Sequence, residues 1–426
     1  MYLSCTDDNT AYNKAQHKSY NFMLSCQVQV VDSLIGMCKA LHQRSQKLMP
    51  LLAGIVSLFG AFSAQADDPP PLTGNFHQTQ IAGYLASPWA AAENPLGGWL
   101  ITERGGTIIE YTNAGQRLEI PLQIDQLYVA GQGGLLDIVL ADDFTETRRV
   151  YLSFAVGDDS ENYLAFGTTK LVGDKPEVQR LFTVKTAKDT PVHFGGRLLK
   201  LADGTWLMTS GDGFDYREQA QQKSSMLGKV LRFNEDGSAP SDNPFYTTPD
   251  APQSYIYTLG HRNPQGLVQD PESGTIWLNE HGPDGGDEIN VLEAGNNYGW
   301  PVVTLGMDYS GAKISPFTHY DGMVDPVLNW TPSIAPSSVV VYQDSAFPEL
   351  ANHLLVSSLK DQALYAVALD QNPMSTMQIF ATINERLRDV IVGRDGSVYV
   401  LTDGARGRLM RFSPLRAENV PEHSLR

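Results

Sequence analysis

Cysteine is almost missing. The 426 residues hold three, Cys5, Cys26 and Cys38, and none follows residue 38. Beyond that point thiol catalysis, iron–sulfur clusters and Cys-ligated zinc are excluded, and no Cys-x-x-Cys-His haem attachment exists. Cations are scarce too. Lys and Arg number 31 against 48 Asp and Glu, a net charge of −17, without the clustered basic surface that nucleic-acid phosphates require. Low-complexity tracts are absent, and after Asp67 so is any long amphipathic helical pattern. Only one long apolar run occurs, Leu48 to Phe62.

That run has the surroundings of an export signal. Lys39, His42, Arg44 and Lys47 precede it, and Ala64-Gln65-Ala66 ends it with a small-x-small cleavage site before Asp67-Asp68. This order predicts a signal peptide over residues 37–66; a membrane anchor is the alternative, disfavoured because a span needs ~20 apolar residues. Residues 1–36 are polar and patternless, and are expected to be an upstream mis-start or disordered, with translation beginning at or near Met37. The mature protein would then be residues 67–426, one domain without a membrane span, cleaved near Ala66 and periplasmic or secreted. Its charge would be −19, since the removed segment holds five Lys/Arg and three Asp/Glu.

What the mature chain does have is a repeat. A Gly-containing turn, an apolar strand centred on a large side chain and a polar edge recur in Gly98-Trp99-Leu100-Ile101-Thr102-Glu103, Asp203–Thr209, Gly274–Glu280 and Asp395–Asp403. Weaker copies lie at Val150–Ser153 and Leu354–Ser357. The centres, residues 99, 151, 206, 277, 355 and 399, are 52, 55, 71, 78 and 44 apart. A four-stranded unit with its turns takes roughly 40–50 residues, so each spacing holds one blade and a loop. The pattern predicts an all-β fold: a six-bladed β-propeller of four-stranded antiparallel sheets, with its active site in loops at one end of the central channel. An open pair of stacked sheets is the competing reading.

The two widest spacings flank the most unusual stretch, GHRNPQG (260–266), EHGPDGGDEIN (280–290) and NNYGWP (296–301). Glycine and proline at this density turn backbone carbonyls outward, and carbonyl plus carboxylate oxygens suit a hard cation such as Ca²⁺. Taken alone, DGGDE reads equally well as a solvated turn. Together these three strings resemble the soluble aldose sugar dehydrogenases that depend on pyrroloquinoline quinone (PQQ), and the resemblance runs along nearly the whole mature chain. GQGGLLD (131–137), HFGGRL (193–198), SGD (210–212), PSIAPS (332–337), SLK (358–360) and RLRDV (386–390) are similar to further elements of that family, in the same order.

The resemblance implies the rest. His193 would be the general base that takes the anomeric proton while hydride leaves for the quinone, giving a lactone, and Asp212 would fix its tautomer. PQQ carries three carboxylates, so Lys360, Arg386 and Arg388 would pair with it. Arg262 would lie at the quinone oxygens with Asn263 on the ring edge, and Gln132, Ser333 and Tyr309 would complete the pocket. Carbonyls of Gly282 and Pro283 would hold the Ca²⁺ at PQQ. Glu288 and the Tyr298 carbonyl would hold a second, structural ion. His261 and His281 receive no role. Electrons would pass to an external acceptor. Val192 stands where the glucose-specialised branch has an acidic residue, which favours a broader aldose substrate range. Two alternatives remain, a calcium-dependent lactonase or esterase on the same fold and a non-catalytic propeller. Neither explains the three late cations.

Overall fold

A computed structural model describes residues 76–415, so the expected signal peptide and upstream stretch lie outside the described residues. Within them, 24 strands form six four-stranded antiparallel sheets. Blades 1 to 5 occupy residues 88–121, 135–183, 195–259, 264–330 and 336–379 in unbroken order. Blade 6 combines three strands of residues 387–414 with Phe76–Leu85, whose register runs from Phe76 opposite Pro414 to Leu85 opposite Gly407. The innermost strands touch in sequence and blade 6 touches blade 1. The ring is therefore closed by hydrogen bonds between the two ends of the fold, and only the short outer edge of each blade is left unpaired. Six separate sheets dispose of the stacked-pair reading.

All six repeat centres fall on the second strand of a blade. Trp206 shows why a large apolar side chain is needed there. It is fully buried between blades 2 and 3, 4.6 Å from the Tyr151 ring and 5.2 Å from that of Phe166. The polar edge serves the junction in three of the repeats, and innermost-strand residues serve the other three. Thr102 donates to the Leu136 carbonyl of the next blade, Ser153 to Gly196 and Asn279 to Ser338. Arg197 Nε donates to the Gln265 carbonyl, Ser337 to that of Leu387, and Asp389 accepts from the Ala91 amide. Every junction thus carries a buried side-chain bond to the neighbouring backbone. Such bonds fix register in a way that apolar packing alone does not.

Each innermost strand also carries a bulge, with one more residue than its partner between Pro88 and Ala91, Leu135 and Ile138, Gly195 and Leu198, Pro264 and Gly266, Pro336 and Ser338, and Leu387 and Asp389. An extra residue bends the strand and re-aims its side chain. Trp89, Arg197, Gln265 and Arg388 all sit at these bulges, at one end of the channel. Among the described residues no helix is long and apolar enough to cross a membrane.

Candidate active site

Second strands run toward the bulged end, so the loops between strands two and three gather there, together with the loops entering each blade. His193, Asp212, Arg262, Asn263, Gly282, Ser333, Lys360 and Arg386 all lie on these loops. In blade 4, the stretch 293–327 climbs back to the same end, where Asp284 and Met307 exchange backbone hydrogen bonds of 2.8 and 3.1 Å. This brings Tyr309 to the site.

His193 is 5 % exposed. Its Nδ1 lies 2.7 Å from Asp212 Oδ1, and its backbone N–H donates to Gln132 Oε1 at 2.8 Å. Asp212 is held in turn, Oδ2 accepting from Trp300 Nε1 at 2.8 Å and Oδ1 from the Phe214 amide at 2.8 Å. A carboxylate at Nδ1 places the proton there and leaves Nε2 as the basic nitrogen. Burial lowers the imidazole below its ordinary pKa of 6.5, against the opposing pull of Asp212, so at neutral pH it is ready to accept a proton. The backbone at His193 is left-handed, φ 52°, an uncommon conformation for a residue with a Cβ and one found at functional sites.

Beside it lies a cavity of about 270 Å³ walled by Trp89, Arg104, Gln132, Asn263, His281, Leu359, Arg386, Arg388 and Asp403, among others. Three guanidinium groups face one carboxylate, in a chain whose net charge is −17. Arg388 is buried deepest. Its Nη1 reaches Gln265 Oε1 at 3.3 Å and its Nη2 Asp403 at 3.6 Å, while its Nε has no partner. Burial pulls its pKa down, so an anion placed here would be strongly welcome. Arg386 Nε meets the same Asp403 oxygen at 3.2 Å. The His281 Nε2 is buried without a partner, and burial pushes that ring down to about 3, hence neutral.

A second cavity, about 290 Å³, is lined by Phe214, Arg217, Arg262, Pro283, Trp300 and Tyr309. His193 stands between the two: Phe194 beside it walls the first, and Phe214 of the second meets its ring edge-on at 5.2 Å. Arg262 is set against the Trp300 ring at 5.5 Å, and its backbone amide is tied to Glu280 at 2.7 Å.

The other expected residues divide. Tyr309 lines the second cavity rather than the first. Ser333 spends its hydroxyl on Asp287 at 2.7 Å. Lys360 is exposed and makes no side-chain bond among the described residues, although its neighbour Leu359 is in the wall. The Gly282 carbonyl already faces a cation, accepting from Arg262 Nη1 at 2.5 Å. A Cβ at Gly282 would meet the carbonyl oxygens of Gly285 and Gly286 at 2.3 Å each, so loop carbonyls converge there. Among the described residues no cluster of three or more His, Cys, Asp or Glu side chains suits a metal. Glu288 lies beside Glu280, with Asn290 Nδ2 donating to both at 3.0 and 3.3 Å. Burial, then the Glu280 charge, raises its pKa.

Arg104, Trp89, Trp300 and Asp403 have no role in the sequence reading, and His281, which receives none there, lines the first cavity. His261 keeps a structural place, between Thr258 and Glu280 at 2.8 Å each.

The family model described as glucose/sorbosone dehydrogenase matches residues 85–411. The chain is 37 % identical over 383 residues to the aldose sugar dehydrogenase YliI of Escherichia coli, covering 88 % of this chain and all of that one. It is 29 % identical over 423 residues to the quinoprotein glucose dehydrogenase B of Acinetobacter calcoaceticus, covering 78 % and 86 %. The PQQ-bound aldose sugar dehydrogenase of Streptomyces coelicolor superposes with a TM-score of 0.64 at 25 % identity, over 81 % of this chain and all of that one.

Proposed function

The chain belongs to the glucose/sorbosone dehydrogenase family, and on that premise we propose that it oxidises aldoses at the anomeric carbon to lactones, with PQQ and Ca²⁺ as cofactors. The observation that carries the proposal is a neutral, carboxylate-braced histidine between a cavity rich in guanidinium groups and a second, aromatic one. A tricarboxylate fits the first cavity: three cations and an unpartnered buried Nε are what it would neutralise. Arg104, Arg386 and Arg388 would hold its carboxylates, with Lys360 at the rim and Gln132 and Asn263 on its edge. Gly282 and Pro283 would offer carbonyls to Ca²⁺, whereas Glu288, crowded by Glu280, suits a second ion with the Tyr298 carbonyl.

Bound there, PQQ supplies the hydride acceptor and Ca²⁺ the Lewis acid that the amino acids lack. The residues do the remainder. The sugar enters the aromatic cavity, where Tyr309, Phe214 and Trp300 exclude water from its ring face. Nε2 of His193 takes the proton of the anomeric hydroxyl, and Asp212 stabilises the imidazolium at Nδ1. Arg262, beside both cavities, stabilises negative charge as it develops. Electrons then leave for an external acceptor, and the protein works in the periplasm or outside the cell after cleavage near Ala66. Ser333, bonded to Asp287, supports the loop from behind.

The product tests this. With a ¹³C1-labelled aldose, the label is expected first in an aldonolactone and then in the aldonic acid. Appearance of an aldehyde at another carbon, with C1 intact, would overturn the assignment of the reacting centre.

A further inference from the structure

Lys188 is 3 % exposed and lies beneath the loop that carries His193. Its Nζ donates to Asn162 Oδ1 at 2.8 Å and to the Thr190 carbonyl at 2.5 Å, and sits 3.3 Å from the centroid of the Phe194 ring. Its backbone exchanges hydrogen bonds with Asn162 at 2.8 and 3.1 Å. Among the described residues no carboxylate comes within ion-pair distance of it. Burying an unpaired ammonium is costly, and an apolar side chain of the same length would fill the space without that cost. The ammonium adds two directed bonds and a charge, both of them next to the proton-accepting pair. Thr190, which it holds by the carbonyl, donates its own hydroxyl to Gly213, adjacent to Asp212.

We infer that Lys188 is a positioning residue of the His193–Asp212 pair: its ammonium pins the loop 188–194 in the shape that carries His193 and supplies a cation behind the imidazole. The inference rests on His193 being the base. The charged and titratable groups facing His193 are Asp212, Arg262, Lys188 and His281, and those facing Lys188 are Asp189 and Asp212. Burial brings Lys188 down to about 7, still above His193, which lies below 6.5. Below about 7 Lys188 carries its charge and, with Arg262, opposes the imidazolium. Removing its charge raises the pKa of His193, so the acid limb of activity moves to higher pH.

The test is kcat/KM against pH for the PQQ-loaded protein and its Lys188→Met, Lys188→Gln and Lys188→Arg variants. The acid limb is expected to rise by about half a pH unit in the Met variant, the scale of one nearby charge, and to return in the Arg variant. Gln, which keeps hydrogen bonding without charge, carries the same expectation should the Met variant not fold. A limb unmoved in whichever neutral variant folds, with only thermal stability altered, would make Lys188 a mere structural peg and overturn the inference. The residual activity of His193→Ala separates the two readings. An acid limb that persists there would remove His193 as the base, whatever Lys188 does.

Discussion

Replacing His193 with alanine is expected to lower kcat by about 10²-fold or more, the usual contribution of a positioned general base, while PQQ still binds. The anomeric hydroxyl must lose its proton as the carbon is oxidised, and His193 has both the protonation state and the bracing for the task. Its Nδ1 is taken by Asp212 at 2.7 Å, and Asp212 is itself fixed by Trp300. Neither of the neighbouring histidines, His261 and His281, qualifies. His261 has both ring nitrogens engaged, by Thr258 and Glu280. His281 is neutral, but burial pushes its pKa to about 3, which makes it a poor base. Steady-state turnover alongside a PQQ titration checks the expectation, and unchanged kcat in the variant would refute the role of His193.

The second large effect is expected at Arg388. Arg388→Met should weaken PQQ binding by roughly 10- to 150-fold, the equivalent of about 1.5–3 kcal/mol for a lost hydrogen bond to a charged group. Turnover at saturating PQQ should stay near that of the unaltered protein. The side chain is only 15 % exposed, its buried Nε lacks a partner, and Asp403, shared with Arg386, only partly offsets its charge. Lys360→Ala is expected to cost less, because that side chain is exposed and solvent screens it. Fluorescence titration of the cofactor reads both variants. An equal or larger loss at Lys360 would mean that the rim, not the buried wall, sets the affinity.

The six blades were legible because Trp99, Tyr151, Trp206, Trp277, Leu355 and Tyr399 all lie on the second strand of a blade, and packing between blades demands bulk on that strand. Closure was not legible. Phe76–Leu85 pairs with Gly407–Pro414 across almost the whole sequence, and nothing local in either strand announces a partner so distant. His193, Asp212, Arg262 and Arg388 sit in short strings with a family likeness, which is why the sequence singles them out, and the fold gathers them at the bulged end. Arg104, Trp89 and Asp403 are not singled out. Their strings are ordinary strand ends, and only the bulge between Pro88 and Ala91 and the loop geometry aim them at the cavity. Ser333 shows what a string leaves out, since nothing local to it announces that its hydroxyl donates to Asp287.

Reconstitution tests the central claim most directly. Residues 67–426 would be titrated with PQQ and Ca²⁺ and assayed with several aldoses and a redox dye, beside a sample held in chelator. The account predicts saturable PQQ binding and sugar-dependent dye reduction that requires both additions. Failure of the folded protein to bind PQQ, with or without Ca²⁺, would contradict it.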